Sequence, residues 1–298
     1  MTKQFGSVKA VDGVSFSADR GEIFGLIGPN GAGKSTTIRM IMNIIAPDSG
    51  EITFNGRPLT ESDKPRIGYL PEERGLYRKL KVNDMLMYLG RLKRAADVQL
   101  QNALDEWLER FDLMGSKFQK ISELSKGMSQ KVQFIASVAH DPEILFFDEP
   151  FAGLDPVSVD TLREAIMDLR DRGKTILFST HIMEQAEKLC NRLFLIDSGK
   201  RVVYGSLEEI KNAHGSNSIV VEFDGDSKIF DDVAGVASVS RFPRYVELGI
   251  EQGGTPDSIL AQIVGRVSIR RFEVVAPSLH SIFVTLVGKP NTIEQTNA

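Results

Sequence analysis

The chain has 298 residues, 42% hydrophobic and 26% charged, an ordinary composition for a globular protein of one or two domains. A net charge of −4 without a basic block argues against duplex DNA or RNA as the main partner. A single cysteine, Cys190, excludes an internal disulfide or a cysteine-rich metal site and suits a reducing cytoplasm. No run of about eighteen apolar residues is present to span a bilayer, and Met1 to Phe5 lacks the apolar core of a signal peptide.

Residues 1–20 read as short β segments with apolar Val11, Val14 and Phe16. Ile23-Phe-Gly-Leu-Ile27 is a buried strand, and Lys34 to Ile45 a helix. Between them, Gly28-Pro29-Asn30-Gly31-Ala32-Gly33-Lys34-Ser35-Thr36 fits G-x-x-x-x-G-K-[ST]. Glycines there let backbone N–H groups curl around phosphate oxygens, and the helix N-terminus adds positive potential. In such a loop Lys34 reaches the β- and γ-phosphates, and the Ser35 hydroxyl can ligate Mg²⁺. A Gly-rich turn that binds nothing is the bland alternative, and the flanking strand and helix argue against it.

Pro47 to Gly50 is a turn, Glu51 to Gly56 a half-buried strand ending in Asn-Gly, and Ile67 to Pro71 a short strand broken by proline. From Val82 to His140 the pattern is helical, with Leu100, Ala103, Leu104, Trp107, Leu108 and Phe111 on one face. Trp107 therefore reads as core, not as a ligand-stacking ring. Cys190 reads as packing filler on a helix. Ile144 to Phe147 and Thr175 to Phe178 are buried strands separated by a helix from Val157 to Arg172, a βαβ crossover. Composition shifts to Asn, His, Gly and Ser around 211–218, which places a domain boundary there. Beyond it, strands at 219–223, 245–248 and 267–272 and helices at 258–264 and 279–287 make a small α+β unit without a catalytic constellation. Residues 290–298 read as a frayed polar tail.

Asp148 and Glu149 follow directly on a buried strand, and ligands of open α/β sheets sit beyond such carboxyl ends. There Asp148 can hold Mg²⁺ through its shell while Glu149 polarises a water for attack on a γ-phosphate. Taken alone, the pair could equally cap the helix beginning near Pro156. His181 follows another strand end, where an imidazole can donate to a γ-phosphate oxygen or the attacking water, although a lone histidine is often an ordinary surface residue. Ser125 and Gly127 open a helix. That suits an N-cap, and also an anion site.

Taken together, these residues resemble the nucleotide-binding subunit of an ABC transporter over about residues 1–212. Gly28 to Thr36 matches the Walker A loop, and Leu124-Ser-Lys-Gly-Met128 the signature at three of five positions. Phe147 to Pro150 matches the end of Walker B with the catalytic glutamate, Gly153 to Asp155 the D-loop, and Ser179-Thr-His181 the switch histidine. Phe5 stands where the family places an aromatic that stacks on adenine. The resemblance implies an α/β P-loop NTPase domain with an antiparallel β subdomain and a helical subdomain at about 78–140, followed by a small α+β domain at 213–298. It further implies that ATP and Mg²⁺ are bound and ATP hydrolysed, with Lys34, Glu149 and His181 catalytic. Two copies would join head to tail, Ser125 and Gly127 of one facing the γ-phosphate held by Lys34 of the other, and Asp155 linking the two sites. An integral-membrane permease would be a second partner, placing the chain on the cytoplasmic face of the membrane, and no nucleic acid is expected.

Glu72 departs from the family pattern, standing where a glutamine is usual. It can still ligate Mg²⁺ or hold water, but adds negative charge near the phosphates. Lys126 and Met128 replace signature residues. Only Met1 and Thr2 precede Lys3, so the antiparallel subdomain is expected to be short of an edge strand, or to begin upstream. Residues 72–77, the signature and the 272–283 segment resemble the branch whose separate ATPase chain pairs with a type-2 export permease, some members being assigned to sodium or drug efflux. Leu80, Val82, Met85, Leu86 and Leu89 are candidate permease contacts, though core packing would also explain them. A non-transport ABC ATPase acting on nucleic acid or ribosomes is the alternative, but such relatives carry fused domains or a long coiled coil. A P-loop kinase or GTPase would leave Ser125, Gly127 and His181 unexplained.

Overall fold

The computed structural model describes residues 1–73, 75–214, 218–251 and 253–287. Two compact units are present, Met1–Tyr204 and Gly205–Ala298. The division falls earlier than the compositional shift at 211–218 suggests, because that shift marks the end of a helix packed within the second unit. Residues 215–217 and the polar tail at 290–298 lie outside the described residues.

The first unit opens with a hairpin of β1 (Lys3–Phe5) and β2 (Val8–Val11). Val14 and Phe16 then run on without joining a strand. They are held by packing instead, with Val14 1% exposed and the Phe16 ring stacked 4.9 Å from Phe24. Strand β3 (Ile23–Ile27) is buried at every position and feeds the glycine loop and helix α1 (Lys34–Ile41). The helix stops four residues short of the expected Ile45. Asn43 turns left-handed at φ 54°, and the N–H groups of Ile44 and Ile45 both fold back onto the Arg39 carbonyl.

The expected strand at 51–56 shrinks to β4 (Thr53–Phe54), paired with β5 (Arg57–Pro58). Asn55 and Gly56 between them both take positive φ, so Asn-Gly makes a tight hairpin turn instead of ending one longer strand. Strand β6 (Ile67–Leu70) breaks at Pro71 as expected. Three helices follow: α2 (Val82–Leu92), α3 (Asp97–Arg110) and α4 (Lys126–Val138). Leu100, Leu104, Leu108 and Phe111 are buried among them, and Trp107 stacks on Phe111 and meets Phe134 edge-on.

Strand β7 (Ile144–Asp148), helix α5 (Pro156–Asp171) and strand β8 (Thr175–Thr180) form the crossover. Helix α6 (Met183–Leu189), strand β9 (Arg192–Asp197) and strand β10 (Lys200–Ser206) complete the main sheet, whose order is β10-β9-β3-β8-β7-β6. Cys190 lies just past the end of α6, not within it, buried with its thiol against Gly25.

In the parallel part of this sheet Ile27 pairs with Thr180, and Asp148 with Ser179. The carboxyl ends of β3, β7 and β8 therefore finish level and side by side. That register carries every expected catalytic residue of this chain to one edge.

The second unit comprises α7 (Leu207–His214), β11 (Ser218–Asp224), β12 (Val236–Arg241), β13 (Tyr245–Ile250), α8 (Pro256–Ile263), β14 (Ser268–Val275) and α9 (Leu279–Val287). Its sheet runs β12-β13-β11-β14, antiparallel throughout. Ile219, Val221, Val246 and Leu248 pack with Ile259 and Ile263 of α8 and with Phe230. Buried Glu247 accepts hydrogen bonds from the backbone N–H and the hydroxyl of Ser278. Edge strand β12 escapes detection in the sequence because serines at alternate positions give it the look of a loop.

Candidate active site

The glycine loop is shaped by close approach. Gly33 sits at φ 107°, and a Cβ there would come within 2.3 Å of the Ala10 carbonyl oxygen. At Gly28 a Cβ would lie 2.0 Å from the Ile196 carbonyl oxygen. No other residue fits either position without moving backbone.

Lys34 is 6% exposed, and its ammonium faces three acceptors: the Gly28 carbonyl at 2.9 Å, the Pro29 carbonyl at 3.2 Å and Glu149 Oε1 at 3.5 Å. An ammonium has three donors, so this buried charge is fully satisfied. Glu149 Oε1 also lies 2.9 Å from His181 Nδ1. A carboxylate only accepts, so that ring nitrogen carries the proton.

Glu149 takes φ 51°, an uncommon left-handed conformation for a residue with a side chain. Its N–H is shared between the carbonyl and the hydroxyl of Ser179, each at 3.2 Å. The same Ser179 hydroxyl donates to Asp148 Oδ1 at 2.5 Å. Sequence reasoning missed Ser179. Its only signal there is its place two residues before His181 at the strand end.

A cleft of about 190 Å³ gathers Lys34, Ser35, Glu72 and Glu149 with Asn30, Gly31, Gly33, Thr36 and Ala10. Ser35 Oγ is 3.5 Å from Glu72 Oε2. Asp148, adjacent in sequence to Glu149, is wholly buried and its Oδ2 has no hydrogen-bond partner. One or two carboxylates with a hydroxyl suit Mg²⁺, which keeps waters and takes the rest of its shell from phosphates. Among the described residues no group of three or more His, Cys, Asp or Glu forms a self-sufficient metal cage. A larger cavity of about 510 Å³ elsewhere in the first unit, lined by Phe16, Ile52 and Phe54 among others, contains none of the expected site residues.

Phe5, Ser125, Gly127 and Asp155 do not line the cleft. Phe5 is 48% exposed on the β1–β2 hairpin, with the Lys3 ammonium 5.6 Å from its ring. Ser125 caps α4, its hydroxyl accepting from the Met128 N–H at 3.2 Å. The Lys126 side chain runs over Gly153 so closely that a Cβ there would meet its Cε at 2.7 Å. Asp155 caps α5 by accepting from the N–H and hydroxyl of Ser158, and these bonds hold its carboxyl below the usual range. Of the candidate permease contacts, Val82, Met85 and Leu86 are buried core residues, whereas Leu80 is 36% exposed.

A phosphate loop, an acidic pair and a histidine on three adjacent strand ends define a P-loop nucleotide hydrolase. Residues 11–152 match the family described as "ABC transporter", and residues 205–287 match "ATP-binding protein DrrA1-3-like, C-terminal domain". The chain is 44% identical, over 97% of both chains, to "Uncharacterized ABC transporter ATP-binding protein YhaQ" of Bacillus subtilis (strain 168). It is 33% identical to "Nod factor export ATP-binding protein I" of Rhizobium meliloti (strain 1021), over 97% of this chain and 87% of that one. To "Linearmycin resistance ATP-binding protein LnrL" of Bacillus subtilis (strain 168) it is 32% identical over 96% of each. Among solved structures, an ATP-binding subunit of an ABC transporter superposes with a TM-score of 0.67 at 32% identity, covering 71% of this chain and 90% of that one. The chain belongs to the ABC transporter ATP-binding family, and is a nucleotide-binding ATPase of that family.

Proposed function

We propose that this chain is the ATP-hydrolysing subunit of an exporter, working as a head-to-tail pair against a separate membrane permease. The observation that carries the reading is the level alignment of the glycine loop, Asp148–Glu149 and His181, with Lys34 and Glu149 facing one cleft. Relatives named for Nod factor export and linearmycin resistance support the export direction. No helix among the described residues is long and apolar enough to cross a membrane. The exporter relatives support a separate membrane permease as partner, and this reading puts the chain at its cytoplasmic face.

Nucleotide entry redirects the Lys34 ammonium from the Gly28 and Pro29 carbonyls to phosphate oxygens. That step removes a cation from Glu149, whose carboxylate remains held by His181 and can accept the proton of an attacking water. His181, bonded through Nδ1, holds that carboxylate in place. Ser35, Asp148 through its free Oδ2, and Glu72 would hold Mg²⁺, which neutralises charge across the β- and γ-phosphates when bound.

The cleft is smaller than the roughly 300–1,000 Å³ of sites that enclose a whole ligand. Its size suits the phosphate end alone, and the remaining wall is assigned to Ser125 and Gly127 of a second copy. Asp155 is assigned to that wall and Phe5 to the adenine. Exposed Tyr77, Leu80, Tyr88 and Leu92, with Tyr77 and Tyr88 in edge contact, offer the permease an apolar surface.

Replacing Lys34 by Ala tests the cleft. Its charge-assisted contacts are worth about 1.5–3 kcal/mol each, so fluorescent-nucleotide titration should show binding lost. Retained wild-type affinity would refute the assignment.

A further inference from the structure

Gln133 is a polar residue at a buried position of α4, 4% exposed. Its side-chain nitrogen donates to the Pro71 carbonyl and to the Glu73 carbonyl, both at 3.1 Å. Those two carbonyls flank Glu72, whose carboxylate lines the phosphate cleft and reaches Ser35 Oγ at 3.5 Å. Beyond Leu70 the strand ladder ends, so nothing in the sheet fixes this backbone.

We propose that Gln133 is a positioning residue for the reaction: it clamps the chain on both sides of Glu72 so that the carboxylate meets Ser35 at the metal side of the cleft. This rests on the proposed reading of Ser35 and Glu72 as metal-holding groups. The residue type follows from the task. One amide nitrogen carries two N–H donors, enough for two carbonyls, and adds no charge to a buried position where charge is expensive. An apolar side chain would leave both carbonyls without this partner. The clamp also lies on the helix capped by Ser125, eight residues and about 12 Å further along one rigid rod. The helix tip offered to a second copy and the loop presenting Glu72 are thereby parts of one mechanical unit.

The test uses Gln133→Met, which keeps the unbranched shape and removes both donors, in a Glu149→Gln background that retains ATP. Mn²⁺ binding in the presence of ATP is followed by electron paramagnetic resonance. The half-saturating Mn²⁺ concentration should rise about five- to tenfold, the worth of one net hydrogen bond or slightly more, while ATP binding measured in chelator stays unchanged. Glu72→Ala should raise it too, and adding Gln133→Met to Glu72→Ala should cause no further rise, because the clamp then has no carboxylate to place. A Mn²⁺ requirement within twofold of the parent, or effects that multiply in full, overturns the proposal. Gln133→Glu is the second variant and decides the matter if the methionine variant does not fold. Its carboxyl can offer the two carbonyls at most one O–H where the amide offers two N–H groups, so a rise is again expected and an unchanged requirement is disqualifying. If ATP binds the parent and Lys34→Ala abolishes that binding, a negative result removes only the role of Gln133. If Lys34→Ala binds ATP as the parent does, the reading of the cleft falls with it.

Discussion

Acidification below neutral pH should destabilise this protein through His140. His140 follows α4, with Nε2 3.2 Å from the Ile67 carbonyl and Nδ1 buried without a partner. Burial lowers its pKa from 6.5 to about 4, against the Ile67 carbonyl bond, which raises it; Lys93 and Lys174 lower it further and Asp141 raises it. The folded state thus holds His140 neutral while the unfolded chain binds the proton more readily. Stability is complete above the unfolded value of 6.5 and declines as pH falls toward the folded value of about 4. A tenfold difference in proton affinity between the two states is worth about 1.36 kcal/mol, so the loss between pH 7 and pH 5 comes to about 2 kcal/mol. Urea denaturation at pH 7, 6 and 5 measures it. His140→Gln keeps a donor for Ile67 but cannot titrate, so it should flatten the profile over that range. Equal pH slopes for the two proteins would refute the reasoning.

Two further outcomes concern the site. Glu149→Gln should lower steady-state phosphate release about 10²–10⁴-fold, the usual worth of a positioned base, with nucleotide affinity retained; wild-type turnover would exclude Glu149 as the base. Gly33→Ala should lose phosphate binding, because its Cβ would fall 2.3 Å from the Ala10 carbonyl oxygen and its φ is 107°. Nucleotide titration with a parallel melting curve separates that loss from global unfolding, and normal affinity would show that the loop accommodates a side chain.

Much of the site was legible because its chemistry is written in contiguous residues. Gly28 to Thr36 announces its turn and its helix, and Asp148–Glu149 stands at the end of a run too apolar to be anything but a buried strand. The meeting of Glu149 with His181 and Lys34 depends on strand register, which periodicity does not encode. Ser179 and Gln133 are hidden for the same reason. Each serves a residue remote in sequence, and a buried glutamine among apolar helix positions is the only hint of the second. Local turn chemistry explains the shortened α1 and the β4–β5 hairpin, where Asn43 and Asn55 take positive φ and close the elements early. The earlier unit boundary follows from α7, whose polar end looks like a linker although the helix packs on α9.

In the proposed mechanism two copies build the site together, and solution mass tests this most directly. Multi-angle light scattering of the Glu149→Gln protein with ATP and Mg²⁺ should report twice the mass seen without nucleotide, and Ser125→Glu added to it should return the single-copy mass. An unchanged mass in saturating ATP, or a doubled mass indifferent to Ser125→Glu, would contradict the shared site.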